Sequence, residues 1–351
     1  MTRCAWLTAP IPAPSLTMQN LAEQRQAQLT KPSGSLGRME GLAVRLASLQ
    51  ECLTPDVERA RIVVFAGDHG VAAAGVSAFP QSVTVEMIRN FSRGGAAIAV
   101  LARQLAADLE VVDVGALQDP APLPRLVSRR VAAGTQDFRR QPAMTPEQRD
   151  QALQAGWEAV ERGASTGVQL LIGGEMGIGN TTAATALLAA LLGLAPALLA
   201  GPGTGLGPEG VAFKVQVVET ALAQHRTALQ DPLTLMAALG GFEIVALTGF
   251  YIAAAQRRIP LLVDGFIATA AAVVALRLQP DLRPWLFFSH QSAEPGQQAV
   301  MAAMAIQPIL DLDLRLGEGS GAAIALPILR LACALHREMA TFAEAAVSGA
   351  H

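Results

Sequence analysis

Short apolar runs alternate along this chain with longer stretches that have helical periodicity. Five such runs are apolar apart from Asp113 and Gln169, and each is followed by glycine or a polar cluster: Ile62–Ala66, Val111–Val114, Val168–Ile172, Leu261–Val263 and Trp285–Phe288. Strands that are apolar on both faces are typical of parallel sheets covered by helices on both sides. The pattern therefore predicts an α/β fold built on a parallel sheet.

The helical stretches include both ends of the chain. Leucines recur at intervals of three and four over residues 15–55, with an interruption at 31–35, and apolar residues recur in the same way over 320–346. Thr145, Pro146 and Gln148 form a capping-box pattern that begins another helix, which we expect to stop at Gly163. We predict a small helical part from residues 1–60 and 325–351, beside a large α/β catalytic domain from 61–324.

Polar clusters follow the predicted strands, at residues 67–70, 173–180, 264–265 and 289–292. In open parallel sheets, ligands bind beyond the carboxyl ends of the strands. The pattern therefore predicts an active site at that edge of the sheet.

Composition excludes several classes of partner. The 351 residues carry 26 Lys and Arg against 29 Asp and Glu, a net charge of −3, which argues against nucleic-acid binding. No charged residue lies between Glu175 and Glu209, but glycines and prolines interrupt this stretch and no basic residues flank it, so we expect no membrane span. The first residues lack a secretory signal pattern, and the three cysteines lack CxxC spacing, so we expect a cytoplasmic location.

Two glycine-rich loops are candidates for phosphate binding. The first follows a predicted strand and opens an Ala-rich helix, so that its free backbone N–H groups favour an anion; it contributes Gly177, Gly179, Asn180 and Thr181. The second contains Gly203, Thr204 and Gly205 and precedes the isolated Lys214. The first loop has neither P-loop spacing nor GxGxxG spacing with an acidic residue about 20 positions further on. The alternatives are a turn that only packs a helix tightly on the sheet, and a solvated lysine.

Two carboxylates lie among glycines. Glu318 stands between apolar segments, where partial burial would raise its pKa and suit a general base. It could instead pair with Arg315 or cap the following helix. Glu175 has the same ambiguity and could hold ribose hydroxyls. His69 and His290 lack the spacing of a metal site or a hydrolase, so we expect neither function.

Taken together, several segments resemble one family over most of the chain: the nicotinate-nucleotide:dimethylbenzimidazole phosphoribosyltransferases, which act in assembly of the cobalamin nucleotide loop. The segments that carry the resemblance are KPSGSLGR at 31–38, GDHGV at 67–71, GVSAFP at 75–80, EMGIGNTT at 175–182, DGF at 264–266, SHQSAE at 289–294 and RLGEGSG at 315–321.

The resemblance implies transfer of the 5-phosphoribosyl group from nicotinate mononucleotide to a benzimidazole nitrogen, with inversion at the anomeric carbon. It also implies a Rossmann-like parallel sheet of about six strands, a small helical part and a homodimer. No metal or organic cofactor is required. The family's catalytic base falls on Glu318 and its phosphate lysine on Lys214. We expect the acceptor base to contact Ser289, Arg315 and Leu316.

The sequence departs from some relatives at the expected acceptor wall. Phe79 and Met87 stand where those relatives carry a serine and a glutamine. An apolar pair would replace a polar one there, although both residues could simply pack in the core. Two other functions fit the same loops: a different nucleotide-sugar transferase, and a nucleotide-binding sensor without catalysis.

Overall fold

A six-stranded parallel sheet lies at the centre of the computed structural model, which describes residues 4–348. Its strands are β1 Ala60–Gly67, β2 Asp108–Gly115, β3 Leu126–Ser128, β4 Leu170–Met176, β5 Leu261–Val263 and β6 Leu286–Phe288. Their order across the sheet is β3-β2-β1-β4-β5-β6, with every neighbouring pair parallel. A two-stranded parallel ladder joins β7 His290–Gln291 to β8 Leu310–Asp311.

All five predicted runs form strands of this sheet, which confirms the fold class. The run predicted from Val168 begins two residues later, at Leu170, because residues 168 and 169 lie before the first paired residue. The missed strand is β3, which has only three residues and lies at the edge of the sheet. Its side chains are half-buried or exposed, so it lacks the apolar run that marked the others.

Thirteen α-helices accompany the sheet in the described part of the chain. They are α1 Leu16–Gln28, α2 Arg38–Gln50, α3 Ser82–Arg93, α4 Ala97–Gln104, α5 Pro146–Ala164, α6 Asn180–Leu192, α7 Pro196–Leu199, α8 Pro208–Gln224, α9 Pro232–Leu239, α10 Phe242–Gln256, α11 Phe266–Leu278, α12 Pro295–Ala303 and α13 Ser320–Glu338. Four 3-10 helices lie at Ala5–Thr8, Gly70–Ala74, Arg226–Gln230 and Pro280–Trp285. The predicted capping box at Thr145 begins α5, with both of its hydrogen bonds formed.

Helices cover both faces of the sheet. Two adjacent glycines in β4 allow close contacts on the two faces, one glycine on each. A Cβ at Gly173 would lie 2.6 Å from the Leu247 side chain of α10. A Cβ at Gly174 would lie 2.3 Å from the Glu318 carbonyl, just before α13. Because successive residues of a strand point to opposite faces, α10 and α13 pack on opposite sides. The second contact also brings the Glu318 turn directly onto the sheet.

The terminal helices pack together as predicted, but the expected boundary does not match a break in structure. α1 packs on α2, and α2 contacts α13. Arg25 of α1 donates to the carbonyl of His336 at 2.7 Å. Residue 325 lies inside α13, and that helix ends at Glu338 rather than near 346. Residues 1–3 and 349–351 of the predicted helical part lie outside the described residues, and the division into two parts stays a prediction.

The long uncharged segment after Glu175 is broken into short elements. Its longest helix, α6, has 13 residues and packs against α8 and α11. Between residues 4 and 348, no helix has both the length and the apolar character needed to cross a membrane.

Candidate active site

A cavity of about 470 Å³ lies at the carboxyl ends of β4, β5 and β6. Its wall contains Phe79, Val83, Met87, Glu175, Met176, Gly177, Ile178, Asn180, Thr181, Gly203, Thr204, Gly265, Ile267, His290, Ser292, Glu294, Arg315, Leu316, Gly317 and Glu318. The strand order reverses beside β4, and a reversal of this kind opens a crevice in which ligands bind. The structure therefore brings most of the predicted site residues together; Gly179, Gly205, Lys214 and Ser289 lie outside the cavity wall.

One end of the cavity is rich in hydrogen-bond donors, and Lys214 lies directly behind it. The Lys214 side chain is fully buried, and its Nζ donates to Gly201 O at 2.9 Å and to Thr181 Oγ1 at 3.1 Å. Burial lowers the pKa of Lys214 to about 8, against the opposing effect of the Glu294 carboxylate. The solvated-lysine alternative is therefore wrong. We call the group Thr181, Gly203, Thr204 and Lys214 the phosphate end, after the ligand that the sequence predicts for it.

Gly203 brings the loop backbone close to that ammonium group. Its φ is +53°, and a Cβ there would lie 3.1 Å from Lys214 Nζ. Thr204 ties the same loop to the segment before α3, because its Oγ1 accepts from Ala78 N at 3.0 Å. Because Gly203 has no side chain, the backbone of this loop lies close to the Lys214 ammonium group.

The turn before α6 serves packing as well as presenting a helix N-terminus. A Cβ at Gly177 would lie 2.3 Å from Gly67 O, so the tight-packing explanation for this glycine holds. The loop opens a helix, as predicted, and that helix begins at Asn180; Ile178 N donates to Thr84 Oγ1 at 3.3 Å. Both interpretations of the first loop are therefore compatible with the structure.

Glu318 enters the cavity from a strained turn between β8 and α13. Its φ is +66°, and its Oε2 accepts from Ile98 N at 3.3 Å, in the first turn of α4. Glu318 therefore caps α4 and not the following helix. Asp264 caps that helix instead, accepting from Gly319 N at 3.1 Å and Ala322 N at 2.9 Å.

Burial is the main cause of the raised pKa of Glu318. The hydrogen bond from Ile98 lowers that pKa, and the negative charge of Asp264 raises it. A carboxyl group with a raised pKa is a stronger base once it is ionised. The environment of Glu318 therefore suits proton abstraction.

Glu175 lies next to the Glu318 turn but has a different environment. A Cβ at Gly317 would lie 2.5 Å from Glu175 Oε1, and Asn180 Nδ2 donates to Glu175 Oε2. Burial raises the pKa of Glu175 well above its ordinary value, and the negative charges of Asp264, Glu243 and Glu318 raise it further. The site thus holds several carboxyl groups that disfavour one another's ionisation.

A second group of cavity-wall residues is apolar. We call Phe79, Val83, Met87 and Leu316 the base end, after the acceptor base that the sequence predicts there. Val83 and Met87 lie one turn apart on α3, so they present one face of that helix. Phe79 and Leu316 also line the wall, yet they are 53% and 60% exposed. The core-packing alternative is therefore wrong for Phe79. Large apolar side chains left exposed at a cavity are available to cover a flat apolar ligand.

Several residues of the cavity wall were missed in the sequence. His290, Ser292 and Glu294 line the cavity, whereas the predicted Ser289 is fully buried and its Oγ contacts His290 Nδ1 at 2.9 Å. The polar cluster after β6 correctly indicated a part of the cavity wall, but His290 and Ser292 of that cluster face the cavity instead of Ser289. Alternation along an extended segment places neighbouring side chains on opposite sides, which explains the difference.

A buried histidine–carboxylate pair lies beneath the glycine turn. His69 Nε2 and Glu243 Oε1 are 2.5 Å apart, and neither side chain is exposed. His69 therefore contacts a side chain of α10, 174 residues away along the sequence. No periodicity links the two positions, so the sequence offered no signal for this contact.

The chain also matches known proteins over almost its whole length. Residues 11–347 match a family model described as Phosphoribosyltransferase. The nicotinate-nucleotide–dimethylbenzimidazole phosphoribosyltransferase of Pseudomonas fluorescens is 58% identical over 344 residues, covering 98% of each chain. The protein of the same name from Xanthomonas euvesicatoria is 57% identical over 345 residues, covering 98% of this chain and 99% of the relative.

A solved structure has the same fold over almost the whole chain. The crystal structure of the enzyme of that name from Thermus thermophilus has a TM-score of 0.91 and 46% identity. The match covers 96% of this chain and 100% of the other. From its sheet, its cavity and these matches, the chain belongs to the phosphoribosyltransferase family that includes the nicotinate-nucleotide–dimethylbenzimidazole enzymes.

Proposed function

We propose that this protein transfers the 5-phosphoribosyl group of nicotinate mononucleotide to 5,6-dimethylbenzimidazole or a related base. The products are α-ribazole 5′-phosphate and nicotinate, in the assembly of cobalamin. The observation that carries the proposal is one cavity whose wall holds the buried carboxyl group of Glu318 together with residues of the phosphate end and of the base end. The named relatives support the choice of substrates.

The phosphate end would hold the phosphate of the donor. An ammonium group has three N–H donors, and Lys214 uses two of them on Gly201 and Thr181, which leaves one for a phosphate oxygen. The first turn of α6 adds the positive end of a helix. Glu175, beside Asn180, would orient the ribose by accepting hydrogen bonds from its hydroxyl groups.

The base end would hold the acceptor ring. Phe79, Met87 and Leu316 offer apolar area on the cavity wall. A flat aromatic base placed there would remove part of the exposed surface of Phe79 and Leu316 from water, which favours binding. Arg315, also on the wall, would lie at the edge of the ring.

The proposed step moves one proton and exchanges one bond. The free lone pair of a benzimidazole nitrogen attacks the anomeric carbon and forms a new carbon–nitrogen bond. The bond to the nicotinate nitrogen breaks, and its electron pair neutralises the departing ring. The proton on the second benzimidazole nitrogen passes to Glu318, so the acceptor carries no positive charge. Holding both substrates in one cavity supplies the proximity that the reaction needs.

A turnover assay tests this function against its alternatives. Nicotinate mononucleotide and dimethylbenzimidazole are incubated with the protein, and nicotinate and α-ribazole 5′-phosphate are quantified by chromatography. We expect both products in equal amounts. Donor binding without products would instead favour a sensor, and nicotinate release without the ribazole product would favour a different transferase.

We also propose a homodimer, as the resemblance implies. Leu198 on α7 and Phe213 on α8 are exposed, and these two helices contact each other, so they offer apolar surface for a partner. Sedimentation equilibrium should give twice the 36.5 kDa mass of one chain, and a monomer would contradict the proposal. We place the reaction in the cytoplasm, which the cysteine pattern of the sequence supports.

A further inference from the structure

A carboxylate without an assigned role lies at the phosphate end. Glu294 lines the cavity at the start of α12, and it is 6% exposed. Its Oε1 accepts from Gly203 N at 3.0 Å. Gly203 belongs to the loop proposed to bind phosphate, so Glu294 uses a backbone donor of the same group.

The contacts of Glu294 are incomplete. Its Oε2 is buried and has no hydrogen-bond partner among residues 4–348. A Cβ at Gly201 would lie 2.0 Å from this oxygen, so the carboxylate is pressed against the loop. Burying a carboxylate oxygen without a donor is unfavourable. Glu294 is therefore held at the phosphate end by one hydrogen bond and by nearby positive charge.

That positive charge is the one a phosphate would use. The Glu294 carboxylate is close enough to Lys214 to raise the pKa of the lysine, and Lys214 and Arg315 in turn lower the pKa of Glu294. Burial acts in the other direction and gives Glu294 a raised pKa overall. Glu294 and a bound phosphate would thus share both the lysine and the backbone N–H of Gly203.

We infer that Glu294 is an internal competitor for the phosphate end, which every phosphate ligand must displace from the Gly203 N–H. A single N–H cannot serve a carboxylate and a phosphate at full strength, and two anions at this distance repel each other. The inference rests on the proposed function, because it takes the phosphate end as the site of the donor's phosphate. It adds that Glu294 weakens the binding of the donor and of the phosphorylated product alike.

Glu294→Gln tests this directly. The amide has the same size but no charge, so its hydrogen bond to Gly203 is weaker and its repulsion of phosphate is lost. We expect inorganic phosphate and nicotinate mononucleotide to bind about tenfold more tightly, or better, by titration calorimetry. The control is Glu219→Gln, which makes the same change in net charge at an exposed position of α8. Its affinity for both ligands should match that of the wild type.

Two further measurements separate competition from other effects. Glu294→Asp keeps the charge but is one methylene shorter, so it withdraws from Gly203 and should also tighten phosphate binding, by less than the glutamine variant. Nicotinate riboside, which lacks the phosphate, should bind the wild type and Glu294→Gln equally. Unchanged or weaker phosphate binding by folded Glu294→Gln and Glu294→Asp would overturn the inference. Failure of the wild type to bind either phosphate ligand would instead overturn the proposed phosphate end.

Discussion

The phosphate end and the base end differ in burial and in how their side chains are held. At the phosphate end, Lys214 is fully buried, and its Nζ is fixed by hydrogen bonds to Gly201 and Thr181. At the base end, Phe79 and Leu316 are more than half exposed. The first group is fixed by hydrogen bonds within the protein, whereas the second presents exposed apolar surface.

This difference predicts strict recognition at one end and tolerant recognition at the other. Buried donors reject a ligand that leaves them without acceptors, whereas apolar contacts discriminate by only about 0.8 kcal/mol for each methylene. In the proposed reaction, Glu318 acts on the acceptor base and not on the phosphate of the donor. We therefore expect substitutions at the phosphate end to change donor binding, those at the base end to change the choice of base, and those at Glu318 to change turnover.

The largest effect is expected for Glu318→Gln. An amide keeps the size of the side chain but cannot accept a proton, so turnover should fall by about 10²–10⁴-fold. Nicotinate mononucleotide should bind normally, because its phosphate is held at the other end. The measurement is kcat together with donor affinity by calorimetry. A folded variant with kcat within about threefold of the wild type would remove Glu318 from the base role.

The pH dependence of the wild type follows from the same residue. Burial raises the pKa of Glu318, and only the ionised carboxylate can accept a proton. As pH falls through that raised pKa, kcat should fall with it. The remaining activity of Glu318→Gln should lack this acid limb. An identical limb in both proteins would assign the titration to another group, such as Glu175.

Lys214→Ala should weaken donor binding by about 1.5–3 kcal/mol, the scale of a hydrogen bond to a charged group. This corresponds to about a tenfold to 150-fold higher Kd for nicotinate mononucleotide. Nicotinate riboside, without the phosphate, serves as the matched ligand and should lose far less affinity. Equal losses for the two ligands would mean that the lysine only supports the loop.

Base discrimination should be a smaller effect. The apolar wall at Phe79 and Met87 should favour dimethylbenzimidazole over adenine by roughly tenfold in kcat/KM, from two buried methyl groups. Met87→Gln introduces a polar side chain and should narrow that preference. Equal kcat/KM values for the two bases in the wild type would contradict an apolar base end.

The smallest effect on catalysis is expected from a change remote from both ends. Thr145→Ala removes the capping box of α5 and should lower the free energy of unfolding by about 1 kcal/mol. Donor affinity and base preference should stay at wild-type values. Denaturant unfolding and the two binding measurements check this, and a changed base preference would mean that global stability influences the site.

The parts of this molecule that sequence patterns could predict are local. Apolar runs predicted the five buried strands. Isolated charges near glycine-rich turns pointed to Glu318, Glu175 and Lys214, because a charge in an apolar stretch needs a special environment, and the structure places the first two on the cavity wall and buries the third. The strand β3 was not predicted because its side chains are half-buried or exposed, whereas the equally short β5 and β6 are fully buried. Where a signal was local, the structure agrees with it to within a few residues.

The parts that escaped prediction depend on contacts between distant segments. Glu318 caps α4, which lies 220 residues earlier in the chain, and nothing near Glu318 in the sequence indicates that helix. Glu294 reaches Gly203 across 91 residues. Val83 could have been found, since it stands four positions before Met87 on one face of α3. The remaining site contacts depend on which distant segments the fold brings together, and the residue types alone do not indicate this.

The separation of the two ends is tested most directly in Lys214→Ala. With nicotinate mononucleotide at saturating concentration, kcat/KM is measured for dimethylbenzimidazole and for adenine, in this variant and in the wild type. The account predicts the same ratio in both proteins, because it assigns Lys214 to the phosphate of the donor alone. A ratio that falls towards one in Lys214→Ala would mean that the phosphate end also selects the base, and it would contradict the division of the cavity.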